Sequence, residues 1–402
     1  MFGALAEGIT RVKDVLQGED VLATIAAFRR MGVMIEQQDT DLVIQGVGLK
    51  GLKQPDGQLD MGNSGTAFRL LAGILCGQPW ESSMGGDESL SGRPMGRIIR
   101  PLSMMGAQID AENEMPPVTI RPAAGLSAIS YEMPVASAQV KSAILLAGLY
   151  AEGETSVKEP APTRDHTERM LGGFGYTVSR QGNWVSIQGG GKLTACSLEV
   201  PADLSSAAFF MVGAAISKNS ELLLPRVGIN PTRNGVLPIL RRMGADIEME
   251  NMSDVGGEPV ADIRVRSSRL TGVSLDSNDI ALAVDEIPAI AVAAACSEGT
   301  TEIRGAEELR VKESDRIATT VAGLRALGVE VIEHSDGMTI KGGQLSAGEV
   351  NSHGDHRIAM AFAMAGNVAR GDVRIINTEC VATSFPGFQK LTREAGLQLI
   401  SC

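Results

Sequence analysis

A chain of 402 residues exceeds what one hydrophobic core ordinarily serves and predicts two domains of roughly 200 residues each. A formal charge of −12, a pI near 5.0 and a complement of only 2 Trp, 3 Tyr and 9 Phe argue against a nucleic-acid partner, because such partners demand a basic footprint and stacking rings; small anions stay open as ligands wherever cations gather in one cleft. No apolar run is long enough for a bilayer span, and five scattered cysteines (Cys76, Cys196, Cys296, Cys380, Cys402) without a CxxC pair read as reduced thiols of a cytoplasmic protein, with no disulfide framework and no zinc site.

Two signals recur along the chain. A helix closed by Gly and passing directly into an alternating strand is predicted at RRMGVMI (Gly32), SMMGAQI (Gly106), GGFGYTV (Gly175), RRMGADI (Gly244), RALGVEV (Gly328) and REAGLQL (Gly396), spaced by about 70 residues with one longer interval. Each glycine fits the left-handed residue that ends a helix. In register with it, small-residue helices with polar heads begin near Asn63, Ser137, Asp203, Asp285 and Asp355, residue types whose short side chains accept from free helix amides. The opening MFGALAEGITRV has the tail of such a unit, as in LLAGLYAEGETSV (145–157) and VAAACSEGTTEI (292–303), without its polar head. Six units, three to a domain, predict an α/β fold of two pseudo-threefold domains. The switch falls near LEVPADL (198–204), giving domains 1–199 and 200–402.

Several polar clusters sit at predicted helix starts, where unpaired amides and the helix dipole favour anions. GNSGTAFR (62–69) offers Asn63, Gly65, Thr66 and Arg69, and GGDESLSGRPMG (85–96) delivers Arg93 from a loop. ASAQVKS (136–142) places Ser137, Ala138 and Gln139 about a helix start, and TRDHTERM (163–170) carries Arg164, Asp165 and His166. VDEIP (284–288) supplies Asp285 and Glu286 as a further head. In RVKESDR (310–316) a helix would put Lys312 and Arg316 on one face with Glu313 at its edge, and DHRIAM (355–360) sets Asp355, His356 and Arg357 at another head. Each cluster taken singly is equally explained by a helix cap or a solvated charge run.

Taken together and in order, GNSGTAFR, ASAQVKSAILLAGL, RVKESDR, GDHRIAM and VATSFPGF (381–388) resemble the 5-enolpyruvylshikimate-3-phosphate synthase family over nearly the whole chain, in wording like the bacterial subgroup that includes glyphosate-tolerant forms. The resemblance implies two domains of βαβαββ-type units, an inside-out α/β barrel with the helices within, closing around shikimate 3-phosphate and phosphoenolpyruvate as a monomer, with no metal or organic cofactor. It implies that Ser137, Ala138, Gln139 and Arg164 hold shikimate 3-phosphate, and that Arg93, Arg316 and Arg357 grip phosphoenolpyruvate with Asn63, Gly65, Thr66, Asp355 and His356 about them. Asp285 would take the proton of the 5-hydroxyl with Lys312 beside it, and Glu313 would serve the methylene carbon. The chemistry suits these types: an acid that gives and recovers a proton serves both halves of an addition–elimination, provided its pKa is raised.

In this family a Lys-Ser pair and an Arg, in a stretch like DKSISHR, directly precede the MFGALAEG-like segment, and here they do not. The expectation is an N-terminally shortened chain with an open sheet edge in its second domain and poor turnover. Thr383 stands where some relatives carry lysine, and Gly65 where tolerant forms carry alanine, so glyphosate should be admitted. UDP-N-acetylglucosamine enolpyruvyl transferase, which shares the architecture, usually has a reactive cysteine in its loop, and GGDESLSGRP has none. An RNA 3′-phosphate cyclase, built from related units, fits poorly with the acidic, aromatic-poor composition, and a non-catalytic relic binding one anion is the remaining alternative.

Overall fold

A computed structural model describes residues 1–400. The chain folds as two compact units, Met1–Val200 together with Asp254–Glu258, and Pro201–Ser253 together with the chain from Pro259 on. Each has its own hydrophobic core.

In the first unit the helices Gly65–Leu75 and Ala138–Gly148 are buried nearly all round. In the second, Leu204–Ile216, Ile287–Ala295 and His356–Gly366 are buried in the same way. A helix without a polar face must lie inside, so both units carry helices at their centres. Their small residues permit close approach: a Cβ on Gly73 would lie 2.2 Å from the Ala143 carbonyl oxygen, so the first unit's two long inner helices touch backbone to backbone. Amphipathic helices such as Glu19–Arg30 and Gly96–Met104 expose their charged faces.

The repeat shows most clearly in the sheets. One four-strand pattern, a parallel pair followed by two antiparallel neighbours, occurs four times. In the first unit it comprises Leu193–Thr194, Ala6–Lys13, Asp41–Val47 and Met34–Gln38. It recurs as Leu59–Asp60, Ser82–Gly85, Val118–Arg121 and Gln108–Ala111, and as Ser130–Glu132, Glu154–Lys158, Trp184–Gln188 and Val178–Gln181. In the second unit it comprises Ser274–Leu275, Thr300–Ile303, Gly337–Lys341 and Glu330–His334. The second unit also holds a three-stranded sheet and a parallel pair, Ser346–Asn351 with Arg370–Ile376.

All six helix-ending glycines have positive φ, from 77° at Gly175 to 97° at Gly106. Five lead into a strand as expected; after Gly396 no strand forms among the described residues. The polar heads need one correction. Ser64, next to Asn63, caps Gly65–Leu75 through Ala67 N. Asp285 is not the N-cap of the helix after it: it lies in a 3-10 turn, Val284–Glu286, and Pro288 falls in the first turn of the helix that follows. Proline near a helix start has no amide to be capped, and the Asp285 carboxylate meets Arg316 and Arg357. Cys76, Cys196, Cys296 and Cys380 are free thiols, and Cys402 lies outside the described residues. Among the described residues no helix is long and apolar enough to cross a membrane.

Candidate active site

Two clusters of the expected residues form, one in each unit. In the first, the turn before Gly65–Leu75 meets the loop that follows Gly85. Asp87 caps the short helix Glu88–Ser91 through Leu90 N and accepts from Asn63 Nδ2 at 2.8 Å. Those bonds hold the Asp87 carboxyl below its usual range, the Leu90 amide contributing most. Asn63 Oδ1 in turn accepts from Arg93 Nη2 at 2.7 Å, and Ser89 Oγ accepts from the same nitrogen at 3.1 Å. Asn63 thus acts as a bridge between an acid and a guanidinium.

Arg69, one turn into its helix, donates to Gln139 Oε1 at 3.0 Å, and Gln139 Nε2 donates to Thr66 Oγ1 at 2.8 Å. This brings the GNSGTAFR and ASAQVKS segments together across 70 residues of sequence. Ser137 caps Ala138–Gly148 through Val140 N, so Ala138 and Gln139 occupy its first turn. Burial, with Arg93 and Arg97 nearby, pushes the Arg69 pKa down. Three guanidiniums close enough to repel, two of them held chiefly by neutral amides and hydroxyls, give this cluster a surplus of positive charge. Gly65 lies between them: an added Cβ would stand 2.8 Å from Arg69 Nη1 and 3.2 Å from Arg93 Nη1. Arg164 is exposed in the turn before His166–Gly173, immediately after Thr163, whose amide donates to Glu159.

The second cluster centres on Arg316, which is only 1% exposed. Its Nε donates to Asp355 Oδ2 at 2.8 Å, its Nη1 to Asp285 Oδ1 at 3.4 Å and its Nη2 to Glu313. Asp355 is itself fully buried and caps His356–Gly366 through Arg357 N. Burial alone would raise the Asp355 pKa, but Arg316 outweighs it and the carboxyl stays below its ordinary value. Arg357 donates through Nη1 to the Asp285 backbone oxygen at 3.1 Å, and its guanidinium stands 3.8 Å from the carboxylates of both Asp285 and Glu286. Burial and the Arg357 charge push the His356 imidazole down, so it is neutral near pH 7. One guanidinium therefore gathers Asp285, Glu313 and Asp355, residues separated by up to 70 positions.

The pattern expected for RVKESDR is corrected here. Lys312 ends a 3-10 segment, Glu307–Val311, in an extended conformation, and Arg316 opens a separate helix capped by Asp315. The two do not share a helical face: Lys312 Nζ instead meets Glu308 at 2.5 Å. Sequence reasoning also passed over the residues behind Arg357. Arg233 donates to both Asp203 Oδ1 and Ser205 Oγ at 2.7 Å, and Ser205 donates to Glu286. Asp203 was visible as a helix head; Arg233, alone in a loop, gave no periodic signal. Cys76 is buried with its thiol pushed up to about 12, so it is no nucleophile at neutral pH.

Comparison with known proteins agrees with this picture. The family model for EPSP synthase (3-phosphoshikimate 1-carboxyvinyltransferase) matches residues 1–391. The 3-phosphoshikimate 1-carboxyvinyltransferase of Acidithiobacillus ferrooxidans is 58% identical over 402 residues, covering 99% of this chain and 92% of that protein. That of Coxiella burnetii is 50% identical, with the same coverage. A solved EPSP synthase structure from Acinetobacter baumannii superposes with a TM-score of 0.95 at 54% identity, covering 99% of this chain and 92% of the other. The expectation of impaired turnover finds no support in these matches. By its inner helices, its repeated sheets and a family match along nearly its entire length, the chain belongs to the EPSP synthase (3-phosphoshikimate 1-carboxyvinyltransferase) family.

Proposed function

We propose that the protein transfers the enolpyruvyl group of phosphoenolpyruvate to the 5-hydroxyl of shikimate 3-phosphate, releasing phosphate, in aromatic amino acid biosynthesis in the cytoplasm. The observation that carries this reading is the convergence of Asp285, Glu313 and Asp355 on Arg316, with Arg357 alongside. Asp355 is locked in the interior as a cap and counter-ion, whereas Asp285 and Glu313 keep 16% and 52% of their side chains exposed. Two accessible carboxylates beside fixed cations suit a step that removes one proton and supplies another.

In this reading Asp285 accepts the proton of the attacking hydroxyl and Glu313 protonates the methylene carbon. Phosphoenolpyruvate becomes electrophilic at its central carbon as that proton arrives, so addition gives a tetrahedral adduct. The adduct then loses phosphate, and Glu313 recovers a methyl proton. Arg93, Arg316 and Arg357 offset the charge of phosphoenolpyruvate, while Ser137, Ala138, Gln139 and Arg164 bind shikimate 3-phosphate. Lys312 must leave Glu308 to assist, a cheap move for an exposed ion pair.

We further infer that glyphosate competes with phosphoenolpyruvate here, because Gly65 leaves room beside Arg69 and Arg93 that a methyl group would fill. The test is phosphate release by the purified full chain with both substrates, the product being identified by NMR. Release that requires both substrates and yields the enolpyruvyl ether is expected. Absence of product, or turnover only when a UDP-sugar replaces shikimate 3-phosphate, would overturn the reading.

A further inference from the structure

A buried ion network in the first unit lies outside the groups that touch either substrate in this reading. Lys141, two residues beyond Gln139 in the inner helix Ala138–Gly148, is 0% exposed amid apolar neighbours. Its Nζ lies 2.9 Å from Glu159 Oε1 and 2.6 Å from Glu168 Oε1. Glu159 is 1% exposed; its other oxygen accepts from Arg180 at 3.0 Å. Glu159 Oε1 also accepts from the Thr163 amide at 3.1 Å and from the Thr163 hydroxyl. A second link, Ser142 Oγ to Thr167 Oγ1 at 2.7 Å, joins the same helix to the same segment further along.

Lys141 and the half-exposed Arg180 balance the two carboxylates in charge, yet burying the lysine with its partners is not a way to gain stability, since an apolar replacement of similar shape is commonly as stable or more so. Beyond Gln139 the rest of the helix is aliphatic or small, and an aliphatic residue at 141 would continue its pattern. What the ions supply is direction. They tie the head of this helix, carrying Ser137 and Gln139, to the residue immediately before Arg164.

We propose that Lys141 and Glu159 form a positioning clamp that, through Thr163, sets Arg164 against the Ser137–Gln139 helix head and thereby fixes the geometry of the shikimate 3-phosphate subsite. The inference rests on the assignment of those residues to shikimate 3-phosphate. Thr163 is the informative position, because its hydroxyl can be removed while the buried ions stay intact. Thr163→Val should raise both the KM and the calorimetric Kd for shikimate 3-phosphate about tenfold, leaving KM for phosphoenolpyruvate and kcat within about threefold. Thr163→Ser, which keeps the hydroxyl, should recover most of the loss.

The charge-balanced pair Lys141→Met with Glu159→Gln should show the same selective defect, with folding followed by thermal melting. An unmoved affinity for shikimate 3-phosphate in folded Thr163→Val, or equal rises for both substrates, overturns the clamp while leaving the proposed reaction standing. A wild-type chain that neither binds nor converts shikimate 3-phosphate overturns the reaction and the clamp together.

Discussion

The two candidate clusters use arginine in opposite ways. In the first unit Arg93 and Arg69 are held by Asn63, Ser89 and Gln139, neutral groups that fix direction without cancelling charge. In the second, Arg316 is surrounded by three carboxylates and Arg357 stands by two. The first arrangement leaves positive charge to be satisfied by a ligand. The second sets two guanidiniums against four carboxylates before any ligand arrives, and a proton taken up there relieves a surplus of negative charge. A reaction that joins two anions and shuttles a proton needs both kinds of site.

The comparison breaks most severely at Arg316. Arg316→Met strands a fully buried Asp355 beside Asp285 and Glu313. Removing one member of a buried ion pair costs about 3–5 kcal/mol, so the denaturation midpoint of the second unit should fall sharply and kcat/KM should drop by at least about a thousandfold. A variant with near wild-type stability would show that Asp355 is satisfied by something other than Arg316. In the first unit the same deletion should behave differently. Arg93→Met breaks no buried pair, and Asn63 keeps its bond to Asp87. The melting temperature should stay nearly constant while KM for phosphoenolpyruvate rises about ten- to a hundredfold, the worth of hydrogen bonds to a charged group. Steady-state kinetics beside a melting curve separates the two behaviours; a destabilised Arg93→Met protein would erase the contrast.

Gly65→Ala sharpens the first half. Its Cβ would press on both guanidiniums, most closely Arg69 Nη1. The expected result is a rise of about tenfold in the glyphosate inhibition constant, with a smaller rise in KM for phosphoenolpyruvate, because a pocket distinguishes ligands by a few atoms at about 1–3 kcal/mol. Equal rises for inhibitor and substrate would mean that the methyl group displaces the arginines as a whole.

Much of this was legible in the sequence, and the reasons for what was not are physical. Gly32 and its five counterparts announced themselves because only glycine takes the left-handed conformation cheaply. Ser137, Asp203 and Asp355 were readable as caps because capping is local, decided within three residues. The contacts between distant residues were not. Asn63 looked like a cap until its bonds to Arg93 and Asp87, 30 and 24 residues away, were seen. Lys312 and Arg316 have helical spacing, but the Asp315 cap starts a helix between them, and spacing alone cannot say where a helix begins. Lys141 carried a readable hint, a lysine inside an apolar helix, though nothing local could name Glu159 and Glu168 as its partners.

The finest distinction between the clusters concerns Glu286, which lies behind Arg357 and accepts from Ser205. Burial raises its pKa, and the Ser205 hydrogen bond and Arg357 only partly oppose that. A carboxyl whose folded pKa exceeds its unfolded value contributes stability that is whole below the unfolded pKa, about 4.3 for glutamate, and is lost as pH climbs through the folded value. Glu286→Gln keeps an acceptor for Ser205 and removes that loss. The variant should therefore gain on the wild type in melting temperature as pH rises from 4 to 8, by a few degrees for about 1 kcal/mol in a domain of this size. Activity should stay within about threefold, since Arg357 retains its bond to the Asp285 backbone oxygen. A gap in melting temperature that does not change with pH would mean that Arg357 and Arg233 already compensate the Glu286 charge in full.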